Sequence, residues 1–154
     1  MIGRSRKALV AWLAVSFLPG VVGAPFPAPD WYRQLRKPSW SPPAGLFGPV
    51  WTVLYALMGV AAWLVAGGRS RGRRSALAAF GVQLALNGAW TPIFFGLRRP
   101  GLALAEIVAT LFAIVTTVAL FTRQRLVAGL LLLPYLAWVA FATALNAEVW
   151  RRNR

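Results

Sequence analysis

The sequence predicts an all-α membrane protein, a five-transmembrane-helix bundle with an ordered first loop rich in proline and tryptophan. Composition is the first reason: 58% of the 154 residues are hydrophobic and 13% are charged, about half the ~25% charged residues of soluble domains. The second reason is charge placement, because all 17 basic residues fall into six short clusters. Between the clusters lie five stretches almost free of charge, each approaching or exceeding the ~20 residues that cross a bilayer.

We place the five spans, within a single transmembrane domain over residues 1–154, at about residues 8–24, 46–66, 75–97, 101–122 and 126–150. Nine basic residues then lie on one side of the membrane and eight on the other, so the positive-inside rule gives no orientation. The net charge of +14 marks helix ends. It therefore does not indicate a nucleic-acid partner, and the pattern also excludes a soluble domain and a disordered chain.

The first span is also compatible with a signal peptide. Basic residues precede it, and it ends in Val22-Gly23-Ala24, which resembles a cleavage site. However, its apolar run is longer than most signal-peptide cores, and Pro25 would follow the cut directly. We therefore favour a retained helix.

The first loop, residues 25–49, holds seven of the eleven prolines and cannot be a regular helix. It also carries Trp31, Tyr32, Trp40 and Phe47. A stiff, aromatic and long loop favours an ordered lid or pocket wall. A loop lying in the headgroup layer is the alternative, and these residues do not decide between the two.

Helical spacing gives the second and third spans one aromatic face each. In the second span this face comprises Trp51, Tyr55, Met58 and Ala62. In the third span it comprises Gln83, Asn87, Trp90 and Phe94. Small residues occupy the opposite side of the third span, at Gly81, Ala85, Gly88 and Pro92. We expect the small side to pack against a neighbouring helix or a second protomer, and the two amides to face the bundle interior. There an amide either bonds another helix or contacts a ligand.

The fourth span looks structural, with Ala105, Ala109 and Ala113 spaced for close packing. The fifth span presents Trp138, Ala142, Leu145 and Val149 on one face, with Tyr135 and Asn146 at its margins. Three helices thus each offer an aromatic face with a polar atom nearby, as in an apolar ligand pocket.

Catalytic chemistry is restricted because the chain has no histidine and no cysteine. This excludes thiolate nucleophiles, imidazole bases, histidine-ligated haem and the usual zinc and iron–sulfur sites, so we predict no metal site. The carboxylates are Asp30, Glu106 and Glu148, too few for an acid/base dyad. Glu148 has the spacing to pair with Arg151 and Arg152. Glu106 either reaches the interface or has a proton- or ligand-linked role.

Several local motifs together resemble the TspO/MBR family, the bacterial tryptophan-rich sensory proteins and the mitochondrial translocator protein (formerly the peripheral benzodiazepine receptor). The resemblance covers essentially the whole chain. In family order, the matching segments are Trp31-Tyr32, residues 37–43, residues 48–51 with Tyr55, residues 83–87, residues 90–96, residues 134–138 and Leu145-Asn146.

The resemblance implies a five-helix bundle, usually dimeric, whose first loop closes a pocket for porphyrins and, in some members, cholesterol and benzodiazepine-type ligands. It also implies a retained first helix. Matching the motifs implies pocket contacts from Trp51, Asn87, Trp138 and Ala142, with Tyr32, Trp40 and Pro42 from the loop. The aromatic faces add Tyr55, Trp90, Phe94, Tyr135 and Leu145 as candidates.

The sequence departs here from a sterol-recognition pattern proposed for animal members. Ala147 and Glu148 stand between Leu145 and Arg151, where that pattern has an aromatic residue. The pattern is weak even when intact, so tight sterol binding is not expected.

We therefore expect an integral, multi-pass membrane receptor or transport-type protein that binds porphyrins and regulates or moves them, requires no cofactor, and forms a homodimer among membrane lipids. One alternative is a light-dependent porphyrin-degrading enzyme using Trp51 and Trp138, which match the tryptophans linked to that breakdown in the family. Another is a sensor that acts through a partner protein. An Arg- and Ala-rich composition suggests a bacterial cell envelope.

Overall fold

A computed structural model describes residues 5–154, and these residues form helices and connecting turns without a β-strand. The helices in chain order are α1 (Arg6–Gly23), α2 (Asp30–Gln34), α3 (Phe47–Ala66), α4 (Arg73–Thr91), α5 (Pro100–Gln124), α6 (Leu126–Leu131) and α7 (Leu133–Arg152). A 3₁₀ turn at Ala44–Leu46 leads into α3, and a π-type turn at Pro92–Gly96 extends α4.

The predicted all-helical, membrane-spanning class is confirmed. Among residues 5–154, five helical units are long and apolar enough to cross a bilayer: Arg6–Gly23, Ala44–Ala66, Arg73–Gly96, Pro100–Gln124 and Leu126–Arg152. Their ends lie close to the boundaries expected from the sequence.

Prolines explain the two irregular points in these units. Pro134 has no N–H group to donate to the preceding turn, and the helix is interrupted two residues earlier, at Leu132 between α6 and α7. Pro92 similarly ends α4, and the Leu97 N–H group donates to the Pro92 carbonyl at 2.9 Å, a five-residue step.

The helices form a closed ring around a shared core. α1 contacts α3 and α4, α4 contacts α5, α5 contacts α7, and α6 returns to α3. Met58, Phe80, Phe121 and Tyr135 are among the largest fully buried side chains. The Phe80 and Phe121 rings stack with centroids 5.6 Å apart, so aromatic packing joins α4 to α5.

Gly59 lets α1 and α3 approach closely. A Cβ atom at this position would lie 2.9 Å from the Leu13 Cα atom and 2.8 Å from Leu13 Cδ2. Both distances are shorter than carbon–carbon contacts allow. Small residues serve such contacts in membrane bundles because lipid tails provide no hydrophobic driving force between helices.

The small-residue side of α4 packs against α1 only in part. Gly88 is buried, and a Cβ atom added there would lie 3.6 Å from the Pro19 Cα atom. Gly81 and Ala85 are exposed on the outer surface. They line an apolar groove of about 660 Å³ between α1 and α4, which we call the outer groove.

The close packing expected at Ala105 and Ala109 is wrong, because both side chains are exposed. The buried face of α5 instead carries Ile107, Thr110 and Ile114, among others. Since lipid tails are as apolar as the bundle interior, alanine spacing alone does not tell which face of a membrane helix is buried.

We expect Gly59→Ala to destabilise the bundle by about 1–3 kcal/mol, because the added methyl overpacks against the α1 backbone. The matched control is Gly48→Ala, in the first turn of the same helix, where an added Cβ meets no atom within 4 Å. That control should be neutral or stabilising, since alanine favours helix over glycine by about 1 kcal/mol. Thermal unfolding in detergent measures both, and equal midpoints for the two variants would contradict this account of the α1–α3 contact.

Candidate ligand-binding site

A cavity of about 310 Å³ lies inside the bundle, walled by α1, α3, α4, α5 and α7. We call it the inner cavity. Six of the residues predicted to bind ligand line it: Trp51, Tyr55, Asn87, Trp90, Trp138 and Ala142. The remaining wall includes Phe47 and Thr91 and, from α5, Glu106, Ile107 and Thr110. The predicted aromatic faces of three helices thus meet at one cavity.

A second cavity of about 350 Å³ lies under the first loop, and we call it the lid cavity. Predicted residues Tyr32, Pro42, Phe94 and Leu145 line it. The two cavities share five wall residues, which are Phe47, Trp51, Trp90, Thr91 and Ala142. They are therefore adjacent spaces, and Ala142 is the smallest side chain in their common wall.

Two predicted residues lie outside both walls. Tyr135 is buried behind Trp51, with ring centroids 6.2 Å apart. Trp40 is 48% exposed, and its ring packs edge-on against Phe141 at 5.7 Å. Helical spacing predicted that Tyr135 lies near the aromatic face of its helix. It did not predict whether the side chain lines the cavity or lies in the layer behind the wall.

Tyr135 is the centre of a polar network between α3, α4 and α7. Its hydroxyl donates to Gln83 Oε1 at 2.7 Å and accepts from Asn87 Nδ2 at 3.0 Å. The Tyr55 hydroxyl donates to Asn87 Oδ1 at 3.2 Å. Both polar atoms of the Asn87 amide are therefore bonded within the protein, and this amide joins helices at the cavity wall.

A second polar link joins α4, α7 and the start of α5. The Trp90 indole N–H donates to Asn146 Oδ1 at 3.0 Å, and Asn146 Nδ2 donates to the Pro100 carbonyl at 2.9 Å. The Trp90 ring stacks on Phe94 with centroids 4.8 Å apart. These contacts hold Trp90 in the wall that both cavities share. Asn146 itself lines the lid cavity. In the sequence, its position at the margin of the aromatic face of the fifth span indicated that it lies close to the site.

The first loop carries an aromatic and cationic group over the lid cavity. Tyr32 packs edge-on against Phe95 at 5.2 Å, and the Lys37 Nζ atom lies 3.9 Å from the Tyr32 ring centroid. Such a placement is a cation–π contact. Burial raises the pKa of the Tyr32 hydroxyl above its ordinary value of 10.0, so the hydroxyl stays neutral. Among the described residues that line the two cavities, Lys37 is the one with a cationic side chain.

Asn153, just beyond α7, fastens this loop to the last helix. Its Oδ1 accepts from the Arg36 N–H group at 2.9 Å, and its Nδ2 donates to the Arg36 carbonyl at 3.0 Å and to the Val149 carbonyl at 2.7 Å. We call the paired bonds to Arg36 the Asn153 clamp. The sequence carries no signal for it, because Asn153 recognises main-chain atoms 117 positions away.

Comparison with known proteins finds a matching family model and several relatives of similar sequence. A family model described as "TspO/MBR family" matches residues 8–151. The tryptophan-rich sensory protein of Cereibacter sphaeroides is 40% identical over 144 residues, which cover 94% of this chain and 90% of that protein. The human translocator protein is 45% identical over 126 residues, covering 80% and 75%. Protein CrtK of Rhodobacter capsulatus is 41% identical over 136 residues, covering 87% and 85%.

We expect Tyr135→Phe to destabilise the protein by about 1–3 kcal/mol, because it leaves Gln83 Oε1 and Asn87 Nδ2 buried without partners. The matched control is Tyr55→Phe, which removes the same atom from the edge of the network and orphans only Asn87 Oδ1. Its cost should be smaller. Unfolding midpoints in detergent rank the two variants, and a larger loss in Tyr55→Phe would show that Tyr135 is not the centre of the network.

Proposed function

The chain belongs to the TspO/MBR family, and we propose that it binds porphyrins and related apolar ligands across the inner and lid cavities. It is an integral, multi-pass membrane protein, since its five spanning helices and its family agree on this point. The relatives are named for sensing and for translocation. Binding in the bundle is the step that regulation and movement of a ligand both require.

The adjoining aromatic cavities are the observation that supports this proposal. Each lies at the lower end of the roughly 300–1,000 Å³ of small-molecule sites. A flat tetrapyrrole is larger than either, and we place it across the Ala142 wall with its faces against Trp51 and Trp138. Rings prefer such offset or edge contacts, and each adds about 0.5–1.5 kcal/mol beyond area burial.

Charge then orients the ligand. Lys37 lines the lid cavity and would pair with a propionate group, so the acidic edge of the porphyrin faces the first loop. The chain has no histidine, which is the commonest axial ligand of haem iron in binding proteins. We therefore propose recognition of the porphyrin ring itself rather than of a bound metal.

A light-dependent porphyrin-degrading activity is the second candidate function. Two indoles, Trp51 and Trp138, line the same cavity, and Trp51 stacks on Tyr55 with centroids 5.2 Å apart. This arrangement would place oxidisable rings against an excited porphyrin. The relatives described above have names of sensory and translocator proteins rather than of enzymes, so we propose binding first.

We also propose a homodimer in a bacterial cell envelope membrane. The outer groove is apolar and lies on the lipid-facing surface, with Gly81 and Ala85 on its floor. Small residues allow a second copy to pack closely at such a surface. Similarity to the Cereibacter and Rhodobacter proteins supports the bacterial assignment.

The Trp51→Leu plus Trp138→Leu variant should weaken protoporphyrin binding about tenfold, through loss of two aromatic contacts. The dissociation constant is read from the absorption band of the porphyrin, which does not depend on protein fluorescence. Trp63→Leu is the matched control, because Trp63 lies on the same helix as Trp51 but outside both cavities. Unchanged affinity in the double variant would refute this pocket. Comparing band decay in light and dark, with and without protein, tests the degrading activity.

The Asn153 clamp generates a kinetic prediction. Asn153→Ala removes two hydrogen bonds that hold the first loop over the lid cavity, and protoporphyrin should dissociate about three- to tenfold faster. Arg36→Ala is the control, since the clamp uses only the main chain of Arg36 and should survive. Transfer of porphyrin to excess serum albumin measures the rate. An equal acceleration in both variants would assign the effect to the Arg36 charge instead.

A further inference from the structure

Two residues that line the inner cavity contain a buried polar atom without a hydrogen-bond partner. Within the described residues, Glu106 Oε2 and Trp138 Nε1 are both in this condition. The other buried unpaired side-chain atoms belong to Ser16, Trp63 and Gln83, which line neither cavity. Such atoms cost about 1–3 kcal/mol each when they stay unpaired. Two of them at one cavity point to a ligand that completes their hydrogen bonding.

Glu106 differs from the other two carboxylates in having no cationic partner. Asp30 pairs with Arg33 at 3.0 Å, and Glu148 pairs with Arg151 and Arg152 at 2.7 and 2.6 Å. Glu106 forms no ion pair among residues 5–154. An isolated charge inside an apolar bundle is costly, and a neutral carboxylic acid costs much less there.

One of the two carboxyl oxygens of Glu106 has a hydrogen-bond partner. The Thr110 hydroxyl, one turn further along α5, donates to Glu106 Oε1 at 2.6 Å. In the neutral acid, Oε1 is then the carbonyl oxygen and Oε2 carries the proton as a hydroxyl donor.

Trp138 supplies a second donor from α7, which packs against α5. An indole N–H donates and does not accept. The ring is held by edge contact with Phe47 at 5.7 Å and by Phe141 at 5.6 Å, so α3 and α7 fix its position. Both unpaired groups at the cavity are therefore donors, and an acceptor on the ligand satisfies them.

We propose that neutral Glu106 and Trp138 form a donor pair that binds a carbonyl oxygen at the inner end of an apolar, polycyclic ligand. This inference rests on the proposed ligand-binding cavity and gives its inner end a chemical preference. A site with buried donors rejects an analogue that lacks the acceptor, because binding would leave those donors unpaired. Lys37 selects an acidic edge at the lid, whereas the donor pair selects a neutral oxygen at the inner end.

The test compares 9,10-anthraquinone with anthracene, which share three fused rings and differ in two carbonyl oxygens. Both are titrated against the purified full chain in detergent, with tryptophan quenching as the signal. The ratio of their affinities is compared between variants, so partitioning into micelles cancels. Glu106→Leu should lower the preference for anthraquinone about tenfold, the value of one well-made hydrogen bond to an otherwise orphaned group.

Conservative variants show whether Glu106 binds the ligand as the neutral acid or as the charged carboxylate. Glu106→Gln keeps an oxygen for Thr110 and an N–H donor in place of the acid hydroxyl, so the preference should persist. Trp138→Phe keeps the ring but removes the N–H group, so the preference should fall. Thr116→Val, on the exposed face of the same helix, is the matched control and should retain the wild-type ratio.

Three results would overturn the proposal: no preference in the wild type, an unchanged ratio in Glu106→Leu, or a loss in Glu106→Gln equal to that in Glu106→Leu. The last result would mean that Glu106 acts as a charged acceptor. If Glu106→Leu does not fold, the Gln and Trp138→Phe variants still decide. Protoporphyrin titration of the wild type tests the proposed function separately, because porphyrin binding without carbonyl preference refutes only the donor pair. Carbonyl preference without porphyrin binding refutes only the porphyrin proposal.

Discussion

The fold depends on one constraint: polar groups inside the bundle must find partners within the protein, because a bilayer supplies none. Tyr135 meets this constraint for three helices at once, since its hydroxyl serves Gln83 and Asn87 while Asn87 serves Tyr55. Dispersion and small-residue contacts such as that at Gly59 hold the helices together but define their register weakly. The network defines the register of α3, α4 and α7, and thereby sets the cavity wall.

The same constraint separates structural polar groups from recognition groups. The Asn87 and Asn146 amides are both fully engaged with protein partners, so they position the wall. Glu106 and Trp138 each keep one atom unengaged at the inner cavity. The hydrogen bonds therefore support the inter-helix role for Asn87, which the residue pattern left open beside ligand contact, and they leave Glu106 with an unengaged oxygen.

Helix number, helix ends and aromatic faces followed from the sequence, because hydropathy and a period of 3.6 residues are local properties. Trp51 and Trp138 were placed at the inner cavity for this reason. The sequence did not predict how deeply each side chain lies in the bundle. Tyr135 lies one layer behind the cavity wall, and Trp40 lies on the surface. Alanine spacing failed on α5, since lipid and core are equally apolar. The sequence did not predict the Asn153 clamp, because Asn153 bonds to main-chain atoms, and these are the same in every residue type that could stand at position 36 except proline.

The inner cavity and the first loop differ in how firmly the protein holds them in place. The inner cavity is lined by five long helices whose contacts would have to break together, and its rings are fixed by stacking and by the Tyr135 network. The first loop is held by the Asn153 clamp and by aromatic packing of Trp31, Tyr32 and Trp40. Each such hydrogen bond contributes only about 0.5–1.5 kcal/mol net. Opening at the loop therefore costs less than separating the helices, and under the proposed function this makes the loop beside Lys37 the way in for a ligand and the inner end the part that discriminates among ligands.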